Sequence, residues 1–512
     1  MPAASGSFLT RAGPLVMARF LSACLTLVIP LVLARTLELS EYGTYKQLFL
    51  IAQSLYYVLP FGMAQSLYYF IPRAREERPY FVQTLVFLAG AGTLAGVALF
   101  ALGPAIAHLL NNPQLLEHRT SLALYCGCTL GALPLELSMT AQGKTRQSAI
   151  AYLVSDGLRA AVLVLPVLLG HGLHQLMEAV VVYSVARLFV CWALVVPRAS
   201  GPLFDGRRFA RQLAYAAPFG AAVLFSVPQT YAHQFMVSSV VTPAAFAIYA
   251  VGCFQLPLVD LLYTPTSEVL MVRLGELDRT GRGAEGVEEF REAVAHLAYV
   301  FFPLGVFLFA AAPEFIGAVF GTRFLPAVPI FRVCVLAIPL AIFPLDGTLR
   351  ARGRTQHIFA SYVVKALVTA PMVYFGVKAF GMQGGIASWV AAELVGKAML
   401  VVRLPAALST PERRVGWVEL APWRALAQGA GAAFVAAIGV VASRHVSQAA
   451  WDGLPHTFVY RLLPLAMVGG TFTAGYFLVL KAVGVSVGGF LGWRRYFPRT
   501  QGVHSLRRSR RA

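Results

Sequence analysis

Fourteen apolar stretches follow one another along the chain, at 12–34, 43–71, 81–103, 120–141, 148–169, 176–196, 212–238, 246–270, 293–312, 328–350, 357–379, 383–404, 425–443 and 461–481. A helix needs roughly 20 apolar residues to cross roughly 30 Å of hydrocarbon, and these runs have that length. In lipid every backbone N–H and C=O must find a partner within the chain, so only helices and closed barrels span. Barrel strands alternate apolar and polar residues, and unbroken runs exclude them. With 58% hydrophobic and 13% charged residues and a mean hydropathy of +0.67, the chain is not a soluble enzyme, a disordered chain or a collagen-like fibre. The expected fold class is an all-α polytopic membrane protein. Its first apolar run follows Arg19, as a signal peptide's does, but the length from Ala12 to Ala34 and Arg35 in place of a small-residue cleavage site predict a retained helix.

Charge sets the orientation. The chain holds 42 Lys and Arg against 23 Asp and Glu, a net charge of +19. With the N-terminus in the cytoplasm, the inner segments collect most of the bases. Examples are Arg73, Arg75 and Arg78; Lys144 and Arg146; Arg207, Arg208 and Arg211; Arg350, Arg352 and Arg354; and Arg507, Arg508, Arg510 and Arg511. The outer segments hold Arg35, Lys46, Arg119, Arg323, Lys378, Arg444 and Arg461. This bias in short loops predicts both termini in the cytoplasm. It accounts for the basic balance without nucleic acid as a partner. The tail from residue 482 to 512 lacks acids and is expected to lie on anionic headgroups, at about 1 kcal/mol per basic residue.

The chain repeats itself. Leu133-Pro134-Leu135-Glu136 through Gln142-Gly143-Lys144-Thr145 matches Phe343-Pro344-Leu345-Asp346 through Arg352-Gly353-Arg354-Thr355 at a constant offset. The register continues ungapped through Tyr152/Tyr362, Val180/Val390 and Arg187/Lys397. A weaker match joins Pro14/Pro218, Ser22/Ser226 and Tyr45/Tyr249. Helices 1–6 and 7–12 therefore read as two copies of one unit. Six is even, so both copies point the same way, as parallel repeats that bind substrate between rocking lobes. The expected division is a lobe at 1–200, a second at 201–410, helices 13 and 14 at 411–481 and the tail.

Several phrases in this order resemble the polysaccharide transporters of the multidrug/oligosaccharidyl-lipid/polysaccharide flippase superfamily. They are Ala34-Arg35-Thr36-Leu37 leading to Glu41-Tyr42-Gly43-Thr44-Tyr45, Ala141-Gln142-Gly143-Lys144-Thr145, Phe320-Gly321-Thr322-Arg323-Phe324, and Phe380-Gly381-Met382-Gln383-Gly384-Gly385-Ile386-Ala387. The resemblance covers nearly the whole chain. It implies export of undecaprenyl-diphosphate-linked oligosaccharide across a bacterial inner membrane for surface polysaccharide, with that lipid-linked sugar, membrane lipid and polysaccharide polymerase machinery as partners. A cation-coupled drug exporter of the same superfamily and a membrane glycan polymerase or ligase are the alternatives.

A diphosphate crossing hydrocarbon needs a wet cationic cavity. Charges inside a membrane cost at least about 2.5–3.5 kcal/mol each and mark pathways. Six bases lie within the runs: Arg19, Arg159, Arg187, Arg332, Lys365 and Lys397. Arg159 has Asp156, and Lys397 has Glu393, on its own helix. Arg19, Arg187 and Lys365 have no acid there, so each contacts diphosphate, pairs with another helix or snorkels to an interface. Arg332 lies near the outer face, where its side chain can snorkel. Arg19, Arg159, Arg187, Lys365 and Lys397 are the expected diphosphate ligands. Gln53 and Tyr56, with Gln229 and Gln234, are the expected sugar ligands, because rings stack on sugars and amides hydrogen-bond them. The same two helices also carry Tyr57, Tyr68, Tyr69, Tyr231 and His233. Asp260 and Glu268, two turns apart beside Pro257 and Pro265, either pair with the intramembrane bases of other helices or couple transport to an ion gradient. Glu136 and Asp346, at equivalent inner helix ends, either pair with nearby loop bases or gate the cytoplasmic side.

The six cysteines show no C-x-x-C, and no His sits at metal spacing, so packing is their expected role and no metal or cofactor is expected. No G-x-x-x-x-G-K-[ST] or G-x-S-x-G appears, which points away from ATP hydrolysis and from that class of serine enzyme.

Overall fold

The computed structural model describes residues 8–196, 201–411, 413–451 and 458–485. The basic tail beyond residue 485 lies outside them. The first copy of the repeat runs α1 (Phe8–Thr36), α2 (Leu39–Val58), α3 (Met63–Phe70), α4 (Arg78–Ala101), α5 (Gly103–Leu109), α6 (Arg119–Gly131), α7 (Pro134–Ala141), α8 (Thr145–Leu168) and α9 (Leu173–Val195). The second runs α10 (Gly206–Ser238), α11 (Pro243–Gly252), α12 (Pro257–Arg279), α13 (Gly286–Ala310), α14 (Ala312–Val319), α15 (Val328–Val335), α16 (Leu345–Ala351) and α17 (Thr355–Val401). The linker helices α18 (Leu404–Leu408) and α19 (Trp417–Leu420) lead to α20 (Trp423–Trp451) and α21 (Phe458–Ala482).

Among the described residues, ten helical runs are long and apolar enough to cross a membrane, and α11 with α12 adds an eleventh bent by 41°. One of the ten covers 54 residues, Thr355–Leu408. Its α17 would be about 70 Å long at 1.5 Å per residue, more than twice a bilayer core. Gly381, at φ 58° and ψ −137°, breaks it into two spans. The apolar part of α1 is shorter, and α10 spans 33 residues but carries Gln212, Gln229, His233 and Gln234. With Gly381 dividing one run and these two added, the count is roughly the fourteen helices expected.

Four of the expected single helices are broken. The second span breaks between Val58 and Met63, where Phe61 and Gly62 have φ of 45° and 80°. The fourth breaks at Ala132–Leu133, before Pro134. The eighth breaks at 253–256, before Pro257, and the tenth passes through a 3₁₀ turn at Ile338–Ile342. Apolar length identifies a span, but only local backbone shows where its ladder stops. Proline, lacking an N–H, is at or next to each of these breaks.

The repeat holds at the level of hydrogen bonds. α8 and α17 begin at Thr145 and Thr355. The glycines before them, Gly143 and Gly353, turn at φ 74° and 65°. Lys144 N donates to Met139 O at 2.9 Å, and Arg354 N to Leu349 O at 2.8 Å. Glu38 and Thr242, equivalent by the weaker match, are the N-caps of α2 and α11. Each copy also has a clasp after its short helix. Gln142 donates to Glu77 at 2.6 Å in the first, and Arg352 donates to Asp278 in the second.

Packing divides the chain into two compact units. The first comprises Met1–Phe254, Val319–Cys334 and Tyr362–Ala392. The second comprises Gln255–Ala318, Val335–Ser361 and Glu393–Ala512. These units cut across the repeat, because α10 and α11 pack on α2, α3 and α4. Gly43 lets α2 approach the start of α11, where a Cβ would collide with the Pro243 carbonyl. One core of the first unit gathers Leu67, Phe81, Leu85, Leu135 and Cys191. In the second unit α20 and α21 dock on α13. Ala432, Ala436 and Val440 meet Val468, Phe472 and Phe307 there, and Tyr476 donates to Tyr299 O at 2.8 Å. The cysteines are free thiols, and Cys126, Cys191, Cys253 and Cys334 are buried.

Candidate functional site

The charged residues of the first repeat converge inside the first unit. α7 supplies Glu136, buried in its first turn. α9 supplies Arg187, whose Nη2 donates to both Glu136 oxygens, at 2.9 and 2.7 Å. α8 supplies Ser155, whose hydroxyl donates to Glu136 Oε1 at 2.6 Å. Side-chain exposure is 4% for Glu136 and 16% for Arg187. An ion pair this dry holds only with good geometry and further hydrogen bonds, and both are present. Tyr183, in α9, donates to the Ser155 carbonyl at 2.7 Å and so ties α8 to α9.

Arg159 stands one turn beyond Ser155. It pairs with Asp156 at 3.5 Å, as its spacing predicts, and Nη2 also donates to Thr26 Oγ1 of α1 at 3.2 Å. It is the more open cation, with 37% of its side chain exposed. The Nε of Arg159 and of Arg187 are both buried without a partner in the protein. Glu136, Arg187, Ser155, Asp156, Arg159 and Tyr183 thus lie together where α7, α8 and α9 meet.

One expectation for these residues changes. Glu136 does not pair with a loop base, since its partner is Arg187 on a neighbouring helix. Lys397 has its Nζ 5.3 Å over the Tyr263 ring of α12. One helical turn places two residues on the same face without fixing which neighbour each side chain turns to.

In the second unit, Asp260, Thr264 and Glu268 form an exposed polar stripe on α12, which carries Pro265 within it. Asp346, the equivalent of Glu136, makes no hydrogen bond or ion pair among the described residues. The equivalent acid–base pair is therefore closed in the first repeat and apart in the second. Lys365 lies half-buried on α17, in the first unit, where its carbonyl accepts from Thr369 Oγ1 at 2.6 Å. Arg19 lies on α1, and its side chain is outside the described residues.

The sugar candidates separate into two kinds. Gln229 is committed: its amide donates to Phe225 O and Tyr362 O, both at 2.6 Å. Gln53 is exposed and Gln234 half-buried, and neither makes a hydrogen bond among the described residues. His233 is buried, with Nδ1 2.7 Å from Tyr249 Oη, as a packed histidine should be. No group of three metal-ligating side chains occurs among the described residues.

Sequence reasoning named both members of the Glu136–Arg187 pair and missed their contact. The signal was there: both positions recur in the second repeat, as Asp346 and Lys397. An acid and a base retained together in two copies of a fold are candidates for one another.

The broken spans, the duplicated six-helix unit and the intramembrane charges define a polytopic transporter fold. The chain belongs to the family described as polysaccharide biosynthesis protein, whose sequence profile matches residues 32–329. No curated protein sequence matches it. Among solved structures, the lipid II flippase MurJ in an inward closed conformation superposes with a TM-score of 0.68 at 11% identity, over 92% of this chain and 99% of that one. An inward-facing multidrug-resistance MATE transporter of the MOP superfamily gives 0.59 at 14% identity, over 76% and 96%. A MOP superfamily transporter from Pyrococcus furiosus gives 0.52 at 12%, over 78% and 96%. At these identities the likeness is one of fold.

Proposed function

We propose that this chain flips undecaprenyl-diphosphate-linked oligosaccharide across a bacterial inner membrane by alternating access of lobes 1–200 and 201–410, with both termini in the cytoplasm. The observation that carries this reading is the Arg159–Arg187 site within the membrane span of a polysaccharide biosynthesis protein. Guanidinium suits a diphosphate because its planar fork donates two parallel hydrogen bonds. Arg159 is the open member. Arg187 is held against Glu136 and completes the grip when the anion competes for it. Arg19, Lys365 and Lys397 are further cations for the headgroup along its path. The polyprenyl tail stays in lipid, so the protein needs a polar route for the headgroup alone, and translocation needs no covalent step. Polysaccharide polymerase machinery outside the membrane would then receive the flipped substrate.

The test is a deletion of the gene, scored for the face on which lipid-linked oligosaccharide accumulates. Accumulation on the cytoplasmic face with loss of surface glycan supports the flippase. Complementation by Arg159→Ala or Arg187→Ala should then fail although the protein is inserted. Normal surface glycan in the deletion strain would overturn the reading.

A further inference from the structure

Helices α2 and α3 run antiparallel to α10 within the first unit, and three contacts fix their register. Gln47 Nε2 donates to Ser238 Oγ at 2.7 Å. The rings of Tyr57 and Tyr231 lie nearly parallel, 19° apart with centroids 6.5 Å apart. Tyr69 and Tyr215 stack at 4.5 Å. Numbers rise along one side of the seam as they fall along the other. Gln53 and Gln234 therefore fall on the same stretch, between the Gln47–Ser238 rung and the two tyrosines.

The rungs differ in burial. At the Gln47 end the polar groups are buried and mutually satisfied: Asn112 Nδ2 donates to Gln47 Oε1 at 2.5 Å and to Thr44 Oγ1 at 2.9 Å. One rung further in, Gln53 is exposed, Gln234 half-buried, and both amides lack partners among the described residues. Tyr57 is 48% exposed. Lipid satisfies no amide, so a free pair of amides at this depth faces a wet cavity. An exposed Tyr57 ring with the half-buried Tyr231 ring beside it, next to two amides, suits a pyranose: its C–H face stacks on the rings and its hydroxyls exchange hydrogen bonds with amides.

The neighbouring residue gives this site its place on the substrate. Tyr56 and Tyr57 meet edge-on with centroids 6.0 Å apart. Tyr56 packs on Ala64, Leu88 and Leu133, just ahead of the helix that carries Glu136, and Tyr57 lies beside Tyr231. We infer that Tyr57, Tyr231, Gln53 and Gln234 bind the reducing-end sugar of the lipid-linked oligosaccharide, the ring attached to the diphosphate, while the arginines hold the diphosphate itself. The inference rests on the flippase reading. It replaces Tyr56 and Gln229 as sugar ligands, since Tyr56 is packed on an apolar cluster and Gln229 is committed to backbone.

The test uses the purified full chain and two probes: undecaprenyl diphosphate, and the lipid-linked oligosaccharide extracted from the deletion strain. Tyr57→Ala and Tyr231→Ala should each weaken binding of the sugar-bearing probe by about tenfold, roughly the worth of one aromatic face. Binding of bare undecaprenyl diphosphate should not change. Tyr57→Phe and Tyr231→Phe should bind both probes normally, because the face and not the hydroxyl makes the contact. Should the alanine variants fail to fold, Gln53→Ala with Gln234→Ala supplies the same comparison and should lose only the sugar-bearing probe. Equal affinity of wild type and variants for the sugar-bearing probe, or equal loss of both probes in folded variants, would overturn the sugar site. A wild-type chain that binds neither probe would overturn the flippase reading instead.

Discussion

Arg187 donates from a single nitrogen to both carboxylate oxygens of Glu136, at 2.9 and 2.7 Å, and so fastens α9 to α7 across 51 residues of sequence. The remaining guanidinium nitrogens point to no other acid, and Nε is buried without a partner. The pair therefore closes the helix packing of the first repeat.

Removing one member should cost more than removing both. Glu136→Leu or Arg187→Met leaves the other charge dry and unpaired, an expected loss of about 3–5 kcal/mol. The double variant should recover part of that loss. Chemical unfolding of the four proteins in micelles measures the cycle, and strictly additive losses would mean that the two residues do not couple.

The exposed stripe of α12 predicts the energy source. With Asp260→Asn and Glu268→Gln, flipping should continue down its substrate gradient and lose its response to an imposed ion gradient. Proteoliposomes loaded with lipid-linked oligosaccharide, under a proton or a sodium gradient, give the comparison. An intact gradient response in the double variant would remove both acids from coupling.

His118 gives a pH dependence outside the spans. It is buried before α6, and burial, then the nearby His174, hold its pKa below the usual imidazole value, against the pull of Glu117 and Glu41. The folded state thus binds the proton less well than the unfolded chain. Its contribution to stability is complete above about pH 6.5 and is lost as pH falls through the lower folded value. Melting temperature should fall on acidification across this window, and His118→Asn should flatten the slope.

Close helix approach makes two glycines sensitive. A Cβ at Gly43 would strike the Pro243 carbonyl, and one at Gly347 would strike the Ser267 carbonyl. In both cases the obstacle is backbone, which cannot swing aside. Gly43→Ala and Gly347→Ala should each destabilise by about 1–3 kcal/mol, whereas Gly157→Ala, with open space around it, should be neutral. Thermal unfolding of the three variants decides it.

The amino-acid sequence alone determined the membrane class, the number of spans and the duplication, because each rests on a property that runs along the chain. Apolar length records bilayer thickness, and Pro134/Pro344 and Gly143/Gly353 record a turn made twice. Sequence spacing also placed Asp156 beside Arg159, since both lie on one helix. The tertiary structure decided every partnership between helices. It set Glu136 on Arg187, turned Lys397 to Tyr263 and committed Gln229 to the Tyr362 carbonyl. It also matched Tyr57 to Tyr231 rather than leaving Tyr56 to do that work. The reason is geometric. Periodicity fixes which face of a helix a side chain occupies, while its partner depends on which helix covers that face and in what register, and that is settled only when the helices pack.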